Sequence, residues 1–170
     1  AWGMALAHAG VGVAVVGMVA SSSWQSEKIV AMNPGDRAEL AGYVFEFQGV
    51  REALVENYRS EEGRFLVTRD GEIIVKLTPE RRFYPTQKQT TTEAAIHTNW
   101  ISDVYVALGD PDDSGRWTVR IYHHPFVPWI WLGCLMMVAG GLASLADRRL
   151  RVGAPTDRRA KAPAHALPAE

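Results

Sequence analysis

Two uncharged apolar runs, residues 2–23 and 126–146, constrain this chain more than any other feature of its sequence. Each is close to the roughly 20 residues that a helix needs to cross about 30 Å of hydrocarbon, where backbone polar groups must be satisfied within the segment itself. The mean hydropathy of the whole chain, -0.10, conceals this segregation, because the residues between the runs are polar and charged. The expected fold is a membrane-protein fragment of α+β class. Two transmembrane helices at 1–23 and 126–147 would flank a small antiparallel β domain at 24–125, with a basic tail at 148–170.

The first run lacks the basic leading region and the small-x-small cleavage site of a signal peptide. The chain opens on Ala1 rather than Met and is expected to be a piece of something longer. Arg148, Arg149, Arg151, Arg158, Arg159 and Lys161 follow the second run. The positive-inside rule then places the C-terminus in the cytoplasm and residues 24–125 on the outside or in the periplasm. From Gly153 the tail is rich in Ala, Pro and Arg and is expected to be disordered. A net charge of -1 gives no nucleic-acid footprint. The one cysteine, Cys134, lies inside the second run, so neither a disulfide framework nor a C-x-x-C pair exists.

The middle segment reads as short strands. Glu27–Met32 runs into Asn33-Pro34-Gly35-Asp36, a turn signal, and Tyr43–Phe47 follows. Arg64–Thr68 and Ile73–Leu77 form the clearest hairpin, because Asp70-Gly71 between them supplies the positive φ angles of a type I′ turn. Val104–Leu108 and Trp117–Tyr122 form a second pair joined by a Gly- and Asp-rich loop. Leu54–Tyr58 fits either a loop or another strand. Strands so spaced predict a compact barrel or sandwich, and the pattern leaves both open. Pro125 and Pro128 suit the start of the second helix, and Trp2, Trp129 and Trp131 suit interfacial aromatic belts. Gly10, Gly12 and Gly17, with Gly133, Gly140 and Gly141, are expected helix-packing positions.

His8 is the single ionisable side chain in the first run. Insertion scales put a charge at mid-bilayer at about 2.5–3.5 kcal/mol, and even a neutral imidazole is polar there. It needs a hydrogen bond from a neighbouring helix, a wet interface or a metal ion, and spacing leaves these open. His97 sits on a polar stretch and is expected to face solvent. His123 and His124 are adjacent at the membrane surface, where strand alternation would point them opposite ways, as interface anchors or polar contacts to a cofactor or head group. His165 lies in the tail. Arg81 and Arg82 could hold an anionic group such as a propionate, or form a solvated charge pair. No catalytic triad, phosphate loop or zinc spacing is present.

Several stretches, in order and covering nearly the whole chain to Arg151, resemble the C-terminal part of the CcmF family, the membrane haem lyase subunits of cytochrome c maturation. They are Gly3-Met4-Ala5-Leu6-Ala7-His8-Ala9-Gly10, Pro34-Gly35, Gly42–Phe45, Leu77–Arg82, Thr92–Ile96, Asp103–Gly109, Trp117–Tyr122, Pro125–Val127 and Trp129–Gly133. The chain departs from the family pattern around the Pro-Phe-Val stretch, where His124 and Pro128 stand in places expected to be basic and polar.

The resemblance implies a b-type haem (haem b) held between transmembrane histidines, with His8 as one axial ligand to the iron and the second histidine in the preceding part of the protein. It also implies haem attachment to apocytochrome c alongside other maturation subunits, in contact with membrane lipid. Two other roles remain open: a non-catalytic assembly scaffold, and a haem transport component.

Overall fold

The computed structural model describes residues 2–55 and 57–146. Ala1, Asp147 and the basic tail at 148–170, His165 included, lie outside the described residues. Helix α1 spans Trp2–Ser23 and α2 spans Val127–Ala146. Between them run β1 (Ser26–Met32), β2 (Arg37–Leu40), β3 (Tyr43–Val55), β4 (Tyr58–Arg69) and β5 (Glu72–Leu77). They are followed by β6 (Glu80–Tyr84), β7 (Gln89–Glu93), β8 (Ala95–Thr98), β9 (Ser102–Pro111) and β10 (Trp117–Pro125). Two apolar helices thus flank a β domain, as the hydropathy pattern predicts.

The strands form two antiparallel sheets, one ordered β1-β10-β9-β8 and the other β2-β3-β4-β6-β7, with β5 also paired to β4. The open choice between barrel and sandwich resolves to a sandwich. The chain passes from one sheet to the other at two corners. At the first, between β1 and β2, Asn33 donates its N–H to the Asp36 carboxylate at 2.7 Å, while Asp36 returns its own N–H to the Asn33 carbonyl. At the second, β7 pairs with β6 and β8 pairs with β9, with only Ala94 between them.

Period-two alternation decides which side chains meet between the sheets. Val104, Val106 and Leu108 on β9 and Val119 and Ile121 on β10 point inward, opposite Phe45 and Phe47 on β3, Phe65 and Val67 on β4, and Leu77 on β5. The rings of Phe47 and Phe65 stack with centroids 4.9 Å apart. Each fully buried side chain of this size contributes about 1.5–3 kcal/mol.

Asp70 and Gly71 both adopt positive φ, 52° and 84°, in the hairpin turn between β4 and β5, as the sequence predicts. Leu54 and Val55 end β3 and pair with Arg59 and Tyr58 on β4, at the far tip of the longest hairpin. Strand β4 pairs through its first half with β6 and through its second half with β5. The break between those partners falls at Pro79, which has no N–H to give; its carbonyl instead accepts the Gly63 N–H at 2.8 Å. The Gly- and Asp-rich loop after β9 closes around Asp112. Its carboxylate accepts from Ser114 and Arg116, and the Ser114 hydroxyl foremost holds it down to a pKa of about 2.

The two helices pack antiparallel along a seam that recurs every seven residues. Gly3 lies against Gly140 and Ser144, Gly10 against Gly133 and Met137, and Gly17 against Ile130. A Cβ added at Gly133 would fall 2.5 Å from the Gly10 carbonyl oxygen, so only hydrogen fits there. Gly12 and Gly141 lie off this seam, and a Cβ added at either would meet nothing within 4 Å. The reason is angular: at roughly 100° per residue, Gly12 points away from Gly10 and Gly141 turns off the line of Gly140. Both helices are long and apolar enough to cross a membrane by length and composition, with mean hydropathy 1.8 each.

The joint between sandwich and α2 is fixed rather than loose. Phe126 adopts φ 61°, a left-handed conformation that costs a bulky residue about 1–2 kcal/mol. It is held by its own N–H, which donates to the Ile101 carbonyl at 2.6 Å, and by ring contacts to Trp24 at 6.2 Å and Trp129 at 5.2 Å.

Candidate functional site

His8 lies in the second turn of α1, at the end remote from the sandwich. At 1.5 Å rise per residue it stands roughly 22 Å along the helix from Ser23. Its neighbours Ala7 and Gly10 pack against α2, so the imidazole is turned off the seam and exposed. Its Nδ1 sits 2.8 Å from the Met4 carbonyl oxygen, one turn back. A carbonyl can only accept, so Nδ1 carries the proton and the Nε2 lone pair is left free. The residues one turn away on the same face are Met4, Ala5, Val11 and Gly12, and a Cβ at Gly12 would meet nothing within 4 Å. The result is an oriented imidazole on an apolar helix face, with small residues at Ala5 and Gly12 and larger ones at Met4 and Val11.

The remaining histidines serve the sandwich. His97 on β8 and His123 on β10 are both in register with Val104, so they form one row across the sheet, facing inward with Val104. His97 is therefore half-buried, not solvent-facing as expected; β8 inherits its facing from the buried Val104 beside it. Burial holds the His123 pKa below the ordinary 6.5, with His124 and Arg69 adding repulsion. His123 lies beside the Tyr43 ring at 6.3 Å. The Tyr43 hydroxyl accepts from Arg69 Nη1 and Asn99 Nδ2, both at 3.1 Å. His124 points to the opposite face, edge-on to Tyr105 at 5.4 Å. The two adjacent histidines thus diverge, as strand alternation requires.

Arg81 and Arg82 are not free to hold an anion. Arg81 bridges Glu61 at 2.6 Å and Asp110 on β9, tying the two sheets together. Arg82 bonds Glu80 at 2.8 Å and stands over the Tyr58 ring at 5.2 Å. Hydrogen bonds to Glu61 and to Glu80 are the first causes that raise their respective pKa values. Neither a propionate contact nor a solvated pair describes them. Cys134 is half-buried on α2, in keeping with a small packing residue. Among the described residues no group of three or more His, Cys, Asp or Glu could hold a metal ion.

Residues 23–125 match the family model described as the CcmF C-terminal beta-sandwich. The chain belongs to the CcmF family. It is 48% identical over 161 residues to the cytochrome c-type biogenesis protein CycK of Bradyrhizobium diazoefficiens, a match covering 95% of this chain and 24% of that protein. The CcmF proteins of Pseudomonas aeruginosa and Escherichia coli are 45% and 43% identical, over 91% and 88% of this chain and 24% and 23% of their own lengths. The chain therefore spans about a quarter of the length of these CcmF-family relatives. A solved structure named cytochrome c heme lyase CcmF shares the fold, with TM-score 0.68 and 21% identity over 85% of this chain and 24% of that one.

Proposed function

We propose that this chain is the C-terminal segment of a membrane haem lyase subunit, with His8 as one axial ligand to the iron of haem b. In this reading α1 and α2 cross the bacterial inner membrane, the sandwich stands in the periplasm and the tail lies in the cytoplasm. The whole assembly attaches haem to apocytochrome c with other maturation subunits. The names of the CcmF relatives support the pathway. The observation that carries the ligand assignment is the His8 imidazole itself: oriented through Nδ1, open at Nε2 and exposed on an apolar helix face.

A lone imidazole suits a metal that brings most of its own ligands, and a porphyrin brings four. Haem bound there would supply one-electron redox chemistry. The Met4 carbonyl fixes the ring orientation and makes Nε2 a better donor. Ala5 and Gly12 leave room for a flat group to lie close to the helix. A second ligand to the iron would come from the part of the CcmF length that this chain does not span. The sandwich holds partners rather than performing chemistry, and Leu54, 85% exposed at the far hairpin tip, suits such docking.

The test places this segment in a full-length CcmF and substitutes His8→Ala. Loss of the low-spin b-type haem spectrum is expected, and an unchanged haem content would overturn the assignment. Retained haem with failed cytochrome c maturation would favour the transport role. Deleting residues 27–122 is expected to abolish co-purification of partner subunits; intact co-purification would count against docking by the sandwich.

A further inference from the structure

Trp100 and Ile101, in the loop that joins β8 to β9, are 87% and 63% exposed, yet the backbone that carries them is bonded within the protein. The N–H groups of Ile101 and Ser102 both donate to the Asn99 side-chain oxygen at 2.8 Å. The Asn99 N–H donates to the Ser102 carbonyl at 3.0 Å, and its side-chain nitrogen donates to the Tyr43 hydroxyl at 3.1 Å. The start of α2 takes the two carbonyls that remain. Trp129 Nε1 donates to Trp100 at 3.2 Å, and the Phe126 N–H donates to Ile101 at 2.6 Å. A loop in water has no need of these bonds, because solvent serves its polar groups; irregular backbone at a bilayer must find them inside the protein. Residues 98–102, Thr-Asn-Trp-Ile-Ser, also carry no charge.

The same bonds fix the height of the loop. At 1.5 Å per residue the 20 residues of α2 span about 30 Å, the full thickness of the hydrocarbon, so Val127 stands at its edge. Bonds to Phe126 and Trp129 hold Trp100 and Ile101 within one turn of that edge. Helix α1 ends at the same level, since Ser26 is in register with His123 and Trp24, 65% exposed, lies beside the Phe126 ring. Exposed tryptophans at this height belong to the interfacial belt. The Asp70-Gly71 turn at the same end of the sandwich is flanked by Arg69 and Glu72 and suits water instead. We infer that the 99–101 loop dips into the nearer leaflet of the bilayer, with the Trp100 ring and the Ile101 side chain lodged where head groups meet hydrocarbon. The loop is then a third point of attachment beside the two helices and stops the sandwich from rocking on them. The inference rests on α2 crossing a membrane, as proposed above.

The experiment uses a full-length CcmF that carries this segment and has no other cysteine, with Cys134→Ala. A nitroxide is attached at Trp100→Cys or Ile101→Cys, exposed positions that folding does not need, and the protein is placed in phosphatidylcholine nanodiscs. Oxygen, which concentrates in lipid, and a water-soluble nickel chelate then compete to relax the label. The oxygen-to-nickel ratio is expected to be severalfold higher at 100 and 101 than at Leu54→Cys on the far hairpin tip, and close to that at Leu135→Cys, 67% exposed on α2. A lipid reading at 135 with a water reading at 100 and 101 overturns the inference and leaves the membrane crossing intact. Little relaxation by either reagent at 100 and 101 also overturns it, because another part of CcmF then covers the loop. A water reading at 135 overturns the membrane crossing itself.

Discussion

At the scale of single residues, His123 carries a pH dependence whose sign follows from its surroundings. Burial beside Tyr43 lowers its pKa, so between 6.5 and the folded value the unfolded chain binds the proton and the folded chain does not. The stability that neutral His123 provides is complete above pH 6.5 and is lost as the pH falls towards the lower folded pKa. His123→Phe is expected to flatten this slope, measured as the urea midpoint across pH 5–8; an unchanged slope would contradict it. Arg81→Ala should cost about 1 kcal/mol in the same measurement, because its two carboxylate partners are partly exposed. His8 was legible in the sequence, since a lone imidazole in an apolar run stands out. His97 was not, because its facing depends on its register with Val104 and not on its polar flanks. The engagement of Arg81 was equally hidden, since Asp110 reaches it from the other sheet.

Among the elements, the helix pair makes the sharpest contrast. Gly133→Leu drives a side chain into the Gly10 backbone and should cost at least about 1–3 kcal/mol, read as earlier unfolding in detergent. Gly12→Leu faces open space and should leave that unfolding unchanged, yet in a full-length CcmF it should reduce haem retention by crowding the wall beside His8. Glycine content marked both helices as packing surfaces, but only the seven-residue phase separates Gly10 from Gly12. The β4–β5 hairpin was readable because Asp70-Gly71 is local chemistry. Gly71→Val should cost about 1–2 kcal/mol there, from the positive φ that it must keep. Strands β6, β7 and β8 were less readable, since Pro79 and the sheet switch at Ala94 are set by distant partners.

The whole molecule is organised by one polarity boundary. A closed β core with its own buried aromatic interior sits on two helices whose outer faces are apolar all round. Phe65→Ala should cost about 3–5 kcal/mol by cavity formation, a large share of an ordinary domain stability of about 5–15 kcal/mol, measured by urea unfolding. Hydropathy revealed this division at once, because membrane-length runs are the strongest signal a sequence carries. It could not separate sandwich from barrel, which differ only in how strand edges meet at the corners.

The central claim is that the Nε2 of His8 ligates haem iron, and imidazole rescue tests it most directly. In a full-length CcmF carrying this segment, His8→Gly is expected to abolish the low-spin haem spectrum, and added imidazole to restore it by filling the vacated space beside Gly12. A low-spin spectrum that persists in His8→Gly without imidazole would contradict the account.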